Sequence, residues 1–185
     1  MNEIEIIRSQ LTLEQSHAAE VANACVAVFG ATGGAGMPDE SAALLREACV
    51  SYLVWVLARF EARDQTLSEL LAARESPSPA AAAGARQLDE LLRRSGGSRE
   101  ALAHLEAALA AAGPDETRAR WREFARFFNS AWTARRLALE AALAEHLSVA
   151  DWRAMCAIDA DSILDERRRF ARVVAQLPAG LEPRR

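Results

Sequence analysis

Apolar residues return every three or four positions along almost the whole chain, the period of a helix with one buried face. Ile7, Leu11, Ala18, Val21, Cys25 and Phe29 form the first stripe. Thr12 followed by Gln15 spells a capping box, so the pattern predicts a first helix from about Leu13 to Phe29, with an earlier start near Ile4 as the alternative. Gly30 stops it. Pro38-Asp39-Glu40-Ser41 opens a long second helix whose stripe Leu45, Cys49, Tyr52, Val56, Leu67 and Leu70 runs on to about Arg74. Ser76-Pro77-Ser78-Pro79 breaks the chain. A third helix over about Ala80 to Arg94 is interrupted at Gly96-Gly97 and resumes from a Ser98 cap to Ala112. After Gly113-Pro114, a fourth helix from about Asp115 to His146 carries Trp121, Phe124, Phe128, Trp132, Leu139 and Leu143 on one face. Ser148 caps a further helix, which Ser162 can re-nucleate. The fold class is all-α, with residues 1–177 as one domain and Pro178 to Arg185 as a disordered tail.

An internal repeat relates the second and fourth helices. Phe60-x-Ala62-Arg63 matches Trp132-x-Ala134-Arg135, and Tyr52, Val56, Leu67 and Leu71 match Phe124, Phe128, Leu139 and Leu143 at the same offset. Two related helical hairpins make an up-down four-helix bundle with an additional C-terminal helix.

Composition narrows the function classes. The 185 residues carry a net charge of -4 with no lysine, so no basic surplus points to nucleic acid, and Arg167-Arg168-Arg169 reads as a solvated helix face. Cys25, Cys49 and Cys156 are widely spaced in apolar runs, as buried free thiols of a reducing compartment are. The acidic start lacks a signal peptide's pattern and no apolar run approaches a membrane span, which places the protein in the cytoplasm, off the membrane.

Three features could carry chemistry. Gly30, Gly33 and Gly36 behind Val26-Ala27-Val28-Phe29 look like a dinucleotide-binding turn, but that site needs a preceding strand and a helix starting on the last glycine. Val26 to Phe29 continue a helical stripe instead, and the stretch reads as the first interhelical turn. Glu14 and His17 share the Glu-x-x-His spacing of di-iron bundles, yet His104 and His146 lack a glutamate three residues earlier, so the motif occurs once. Its plain alternative is a glutamate near a helix start and a half-exposed histidine. Arg63 and Arg135, at about 100° per residue, fall on the buried sides of their helices. Each must snorkel outward or find a carboxylate, with Glu14, Asp64 and Asp89 as candidates.

The segment Phe60-Glu61-Ala62-Arg63-Asp64-Gln65-Thr66-Leu67 resembles the second-helix segment of the hemerythrin-like (HHE cation-binding) domains, often spelled His-His-Gly-Lys-Glu-Glu-x-Leu. Leu143 to Trp152 is similar to that family's closing segment, in which Leu-Ser or Leu-Thr leads to an acidic residue and Trp. The resemblance spans about residues 10 to 155 and implies a bundle of two similar hairpins around a non-haem di-iron centre handling oxygen, nitric oxide or iron. The ligand positions depart from it. The second-helix pair becomes Phe60 and Asp64, the fourth-helix pair Trp132 and Arg136, and the first-helix position Glu14 or Gln15.

The resulting expectation is a bundle without metal. Phe60 and Trp132 fill the former metal site, lined by Glu14, Arg63, Asp64, Arg135 and Arg136, and the protein is a non-enzymatic binding or regulatory module. Its partner is a protein or a small apolar ligand near Tyr52, Trp55 and Trp132, and a homodimer is left open. The alternative is non-haem iron held by a carboxylate-rich site of Glu14, His17, Glu61 and Asp64.

Overall fold

The computed structural model describes residues 2–29, 38–74, 76–95, 98–111, 113–145, 147–157, 160–179 and 181, and every regular element among them is an α-helix. In chain order these are α1 (Glu3–Phe29), α2 (Asp39–Ala72), α3 (Pro79–Ser95), α4 (Ser98–Ala110), α5 (Pro114–Ala144), α6 (Val149–Cys156) and α7 (Ala160–Val174). The glycine turn with Gly30, Gly33 and Gly36, the Gly96-Gly97 interruption, His146 and the end of the tail lie outside the described residues, as do the side chains of Ser98 and Trp132.

Side-chain caps set several boundaries. Asn2 Oδ1 accepts the Glu5 N–H at 2.9 Å while Glu5 Oε2 accepts the Asn2 N–H at 2.7 Å, a reciprocal box that starts α1 at Glu3. The Thr12-Gln15 spelling is therefore not a helix start. Thr12 sits mid-helix and its hydroxyl donates to the Arg8 carbonyl at 3.0 Å. Gly113 is extended and Pro114 supplies the first residue of α5, where a missing N–H costs nothing. Ser148 and Asp151 form the second box, opening α6. Ala157, at φ 43°, ends α6 in the left-handed region. α7 begins at Ala160, so Ser162 lies inside it rather than at its start. Beyond α7, Leu177 packs on the core, inside the expected domain, and the Leu181 N–H reaches the Pro178 carbonyl at 3.1 Å.

α2 is the central element and lies against all six other helices. It contains an 18-residue stretch of mean hydropathy 1.4, long and apolar enough to cross a membrane, which corrects the expectation that no such run exists. In the fold its Leu45, Cys49, Tyr52, Leu53, Val56 and Leu57 are buried against neighbouring helices. α1 also packs on α5, and α5 packs on both α3 and α4. At the α3–α5 contact Gly84 lets the helices approach closely, because a Cβ there would stand 3.0 Å from Ala141 Cβ and 3.2 Å from Ala138 Cα.

The core is divided. One apolar cluster joins the C-terminal half of α1, the N-terminal halves of α2 and α5, α4 and Val173 of α7. A second joins Ile7 and Leu11 of α1, Leu67 and Leu71 of α2, α3, the C-terminal half of α5, and α6. Between them, on α1, α2 and α5 alike, the buried positions turn polar.

Candidate functional site

That polar layer is built from four charged side chains, each less than a tenth exposed. They are Glu14 (0%), Arg63 (8%), Asp64 (4%) and Arg135 (5%). Glu14 sits where the first-helix stripe predicts an apolar residue, so its carboxylate points inward and must be compensated. Arg63 Nη1 donates to Glu14 Oε2 at 2.6 Å, and Arg59 Nη2 reaches the other oxygen at 3.3 Å. Arg63 Nε donates to the Cys156 carbonyl at 3.1 Å, closing one of the open carbonyls at the end of α6. One residue further on, Asp64 accepts from Arg135 Nε at 2.8 Å, tying α2 to α5. The Arg135 guanidinium lies over the Phe60 ring at 4.9 Å. Burial pushes the Asp64 carboxyl above its usual range, against the opposing pull of Arg135 and Arg63 and with Glu61 adding to the rise.

The residues expected at the site divide accordingly. Glu14, Phe60, Arg63, Asp64 and Arg135 come together. Arg136 does not: one residue, about 100°, beyond the inward Arg135, it is exposed and pairs with Glu140 at 2.8 Å. Trp132 contributes a backbone position only, its side chain being outside the described residues. Asp89 is exposed and pairs with Arg93 at 2.8 Å, so it serves neither inward arginine. The carboxylate-rich set Glu14, His17, Glu61 and Asp64 is not assembled around one point: Glu14 is held by Arg63, Asp64 by Arg135, and His17 turns to another partner. Among the described residues no three histidine, cysteine, aspartate or glutamate side chains are grouped to hold a metal ion.

His17 belongs to a network the sequence reading missed. Its Nδ1 meets Glu166 Oε1 at 2.8 Å, the Tyr52 hydroxyl donates to the same oxygen at 3.0 Å, and the imidazole stacks on Phe170 at 3.6 Å. Glu166 and Tyr52 are fully buried, and together these groups fasten α7 to α1 and α2. Burial, then the neighbouring Glu166, drives the Tyr52 phenol far above its usual range, so it is a donor here. A signal existed: Glu166 falls between Ile163, Phe170 and Val173 on the single apolar stripe of α7, as Glu14 does on that of α1. Tyr52 is thus committed to Glu166 rather than to an open space. Trp55 is half-buried between the guanidiniums of Arg59, at 4.9 Å, and Arg169, at 5.4 Å.

Two spaces open beside the polar layer. A cavity of about 20 Å³ touches Phe60, Arg63, Asp64, Arg135 and Met155. A larger groove of about 230 Å³ lies between α1 and α5, walled by Leu11, Leu139, Leu143 and Trp152 and rimmed by Arg8, Thr12, Arg136 and Glu140. Both include Leu11, Gln15 and Leu139 in their walls. No family model, no curated protein and no solved structure matches this chain.

Proposed function

We propose that this chain is a cytoplasmic four-helix bundle of hemerythrin-like type that works without metal, as a binding or regulatory module with no catalytic step of its own. The contacts support the bundle, since α1, α2, the α3–α4 pair and α5 each pack on the next and α5 returns to α1, with α6 and α7 added outside. One observation carries the metal-free reading: Glu14 and Asp64, the acids nearest the expected ligand positions, are each held by an inward arginine. An arginine pair supplies the positive charge that a cation would supply to those carboxylates. It leaves no reason for a dication to displace it. The test is metal analysis of protein purified from iron-supplemented cells. Less than about a tenth of an iron per chain is expected. Stoichiometric iron that disappears in Glu14→Ala and Asp64→Ala variants would overturn the reading in favour of the carboxylate-rich metal site.

A further inference from the structure

Buried polar atoms without partners mark where a molecule is incomplete. In the polar layer and one helical turn from it on α1 and α2, three donors have no acceptor among the described residues, Arg63 Nη2, Arg59 Nε and Gln10 Nε2, while the unpartnered acceptors Glu20 Oε2 and Glu166 Oε2 belong to other positions. Arg63 lines the 20 Å³ cavity, which has room for about one oxygen atom. From there the walls continue, through Leu11, Gln15 and Leu139, into the α1–α5 groove of about 230 Å³. The groove's side walls are aliphatic and aromatic. Its rim carries Arg8, whose guanidinium has no partner among the described residues, and Arg136 answered by Glu140. The sequence places two arginines, one acid and no lysine at that mouth, a surplus of one positive charge.

We propose that the α1–α5 groove binds a small amphipathic monocarboxylate, with its hydrocarbon tail against Leu11, Leu139, Leu143 and Trp152 and its leading oxygen in the cavity beside Arg63 Nη2. The pairing is dictated by the two ends of the space. The apolar walls favour a hydrocarbon body. The inner end is lined by Arg63 and Arg135 with one carboxylate, Asp64, which Arg135 already holds, and Arg63 carries a buried donor without an acceptor; supplying one removes the cost of leaving it unmade. This reading rests on the metal-free binding module proposed above and names the ligand class of that same interior. It moves the apolar ligand away from Tyr52 and Trp55, whose side chains are engaged by Glu166 and by Arg59 and Arg169.

The experiment is isothermal titration calorimetry of the full chain with sodium octanoate, octan-1-ol and octylamine, on a preparation whose metal content has been measured. Octanoate is expected to bind at least tenfold more tightly than octanol, with octylamine giving no heat. Leu139→Trp, which fills the groove from a half-buried position, abolishes octanoate binding while the far-ultraviolet circular dichroism stays unchanged. Arg63→Lys keeps a cation beside Glu14 but removes Nη2, and weakens octanoate at least tenfold with little effect on octanol. Equal affinity for octanoate and octanol, no octanoate heat at 10 mM, or binding unaffected by Leu139→Trp would overturn the proposal. Stoichiometric iron in the same sample would instead overturn the metal-free reading, so the two failures are separable.

Discussion

Replacing Arg135 with methionine tests the polar layer most directly. The side chain is 5% exposed, its partner Asp64 is 4% exposed, and the bond between them is 2.8 Å long. Methionine keeps most of the stem's packing but leaves the carboxylate buried without its cation. Breaking one side of a buried pair costs about 3–5 kcal/mol. At about 2–4 °C per kcal/mol for a chain of this size, the melting temperature falls by about 10 °C. The loss depends on pH, and its sign follows from Asp64. Burial already lifts this carboxyl above its ordinary 3.8, and Arg135 is the main influence opposing the rise, so removing Arg135 lifts it further. A carboxyl raised in the folded state contributes stability that is intact below the unfolded value and lost as pH climbs through the folded one. Urea denaturation followed at 222 nm should therefore show a small penalty for Arg135→Met near pH 4 and the full penalty at pH 8. The double variant Asp64→Leu with Arg135→Met should return to within about 1 kcal/mol of the parent, because two apolar side chains need no compensation. A pH 8 penalty below about 1 kcal/mol, or one that shrinks as pH rises, would refute the reasoning.

Three further outcomes follow from the same packing. Glu166→Ala strands the buried Tyr52 hydroxyl and the His17 imidazole, costing about 1–3 kcal/mol, and hydrogen exchange should quicken at least tenfold across α7 while α3 amides keep their protection. Gly84→Val places branched carbons where Ala138 and Ala141 leave a single Cβ only 3.0–3.2 Å, so urea denaturation should show a loss of about 1–3 kcal/mol, with Gly84→Ala costing less. Burial pushes the Cys156 thiol up to about 12 and holds Cys25, beside Cys49, well above the usual range, so a disulfide-exchange reagent at pH 8 should leave both unmodified until denaturant is added.

Much of the architecture was legible in the periodicity. The α1 stripe is buried, as are Leu45, Cys49, Tyr52, Val56 and Leu67 of α2 and Trp121, Phe124 and Phe128 of α5, while Leu70, Leu139 and Leu143 are half-buried. The Ser148 cap and the Gly113-Pro114 boundary stand where they were read, because caps and breakers act over a few neighbouring residues. Local reading erred at the first helix: Thr12-Gln15 suits a helix start, but the reciprocal Asn2-Glu5 bonds cap the helix more than two turns earlier and Thr12 lies within it. The inward arginines were visible on a helical wheel. Their partners were not, since Glu14, Asp64 and Asp89 were all candidates and only packing brings Glu14 to Arg63 and Asp64 to Arg135 while Asp89 pairs with Arg93 in solvent.

By itself, then, the sequence determined that the chain is helical, where most helices begin and end, and that Glu14, Arg63 and Arg135 face inward; each follows from local propensity and a period of 3.6 residues. Only the tertiary structure decided which acid meets which arginine, that α7 is fastened through Glu166, and that a groove between α1 and α5 shares walls with a small cavity lined by Arg63. Those outcomes depend on distances between residues that lie 49 to 149 positions apart, which no local pattern encodes.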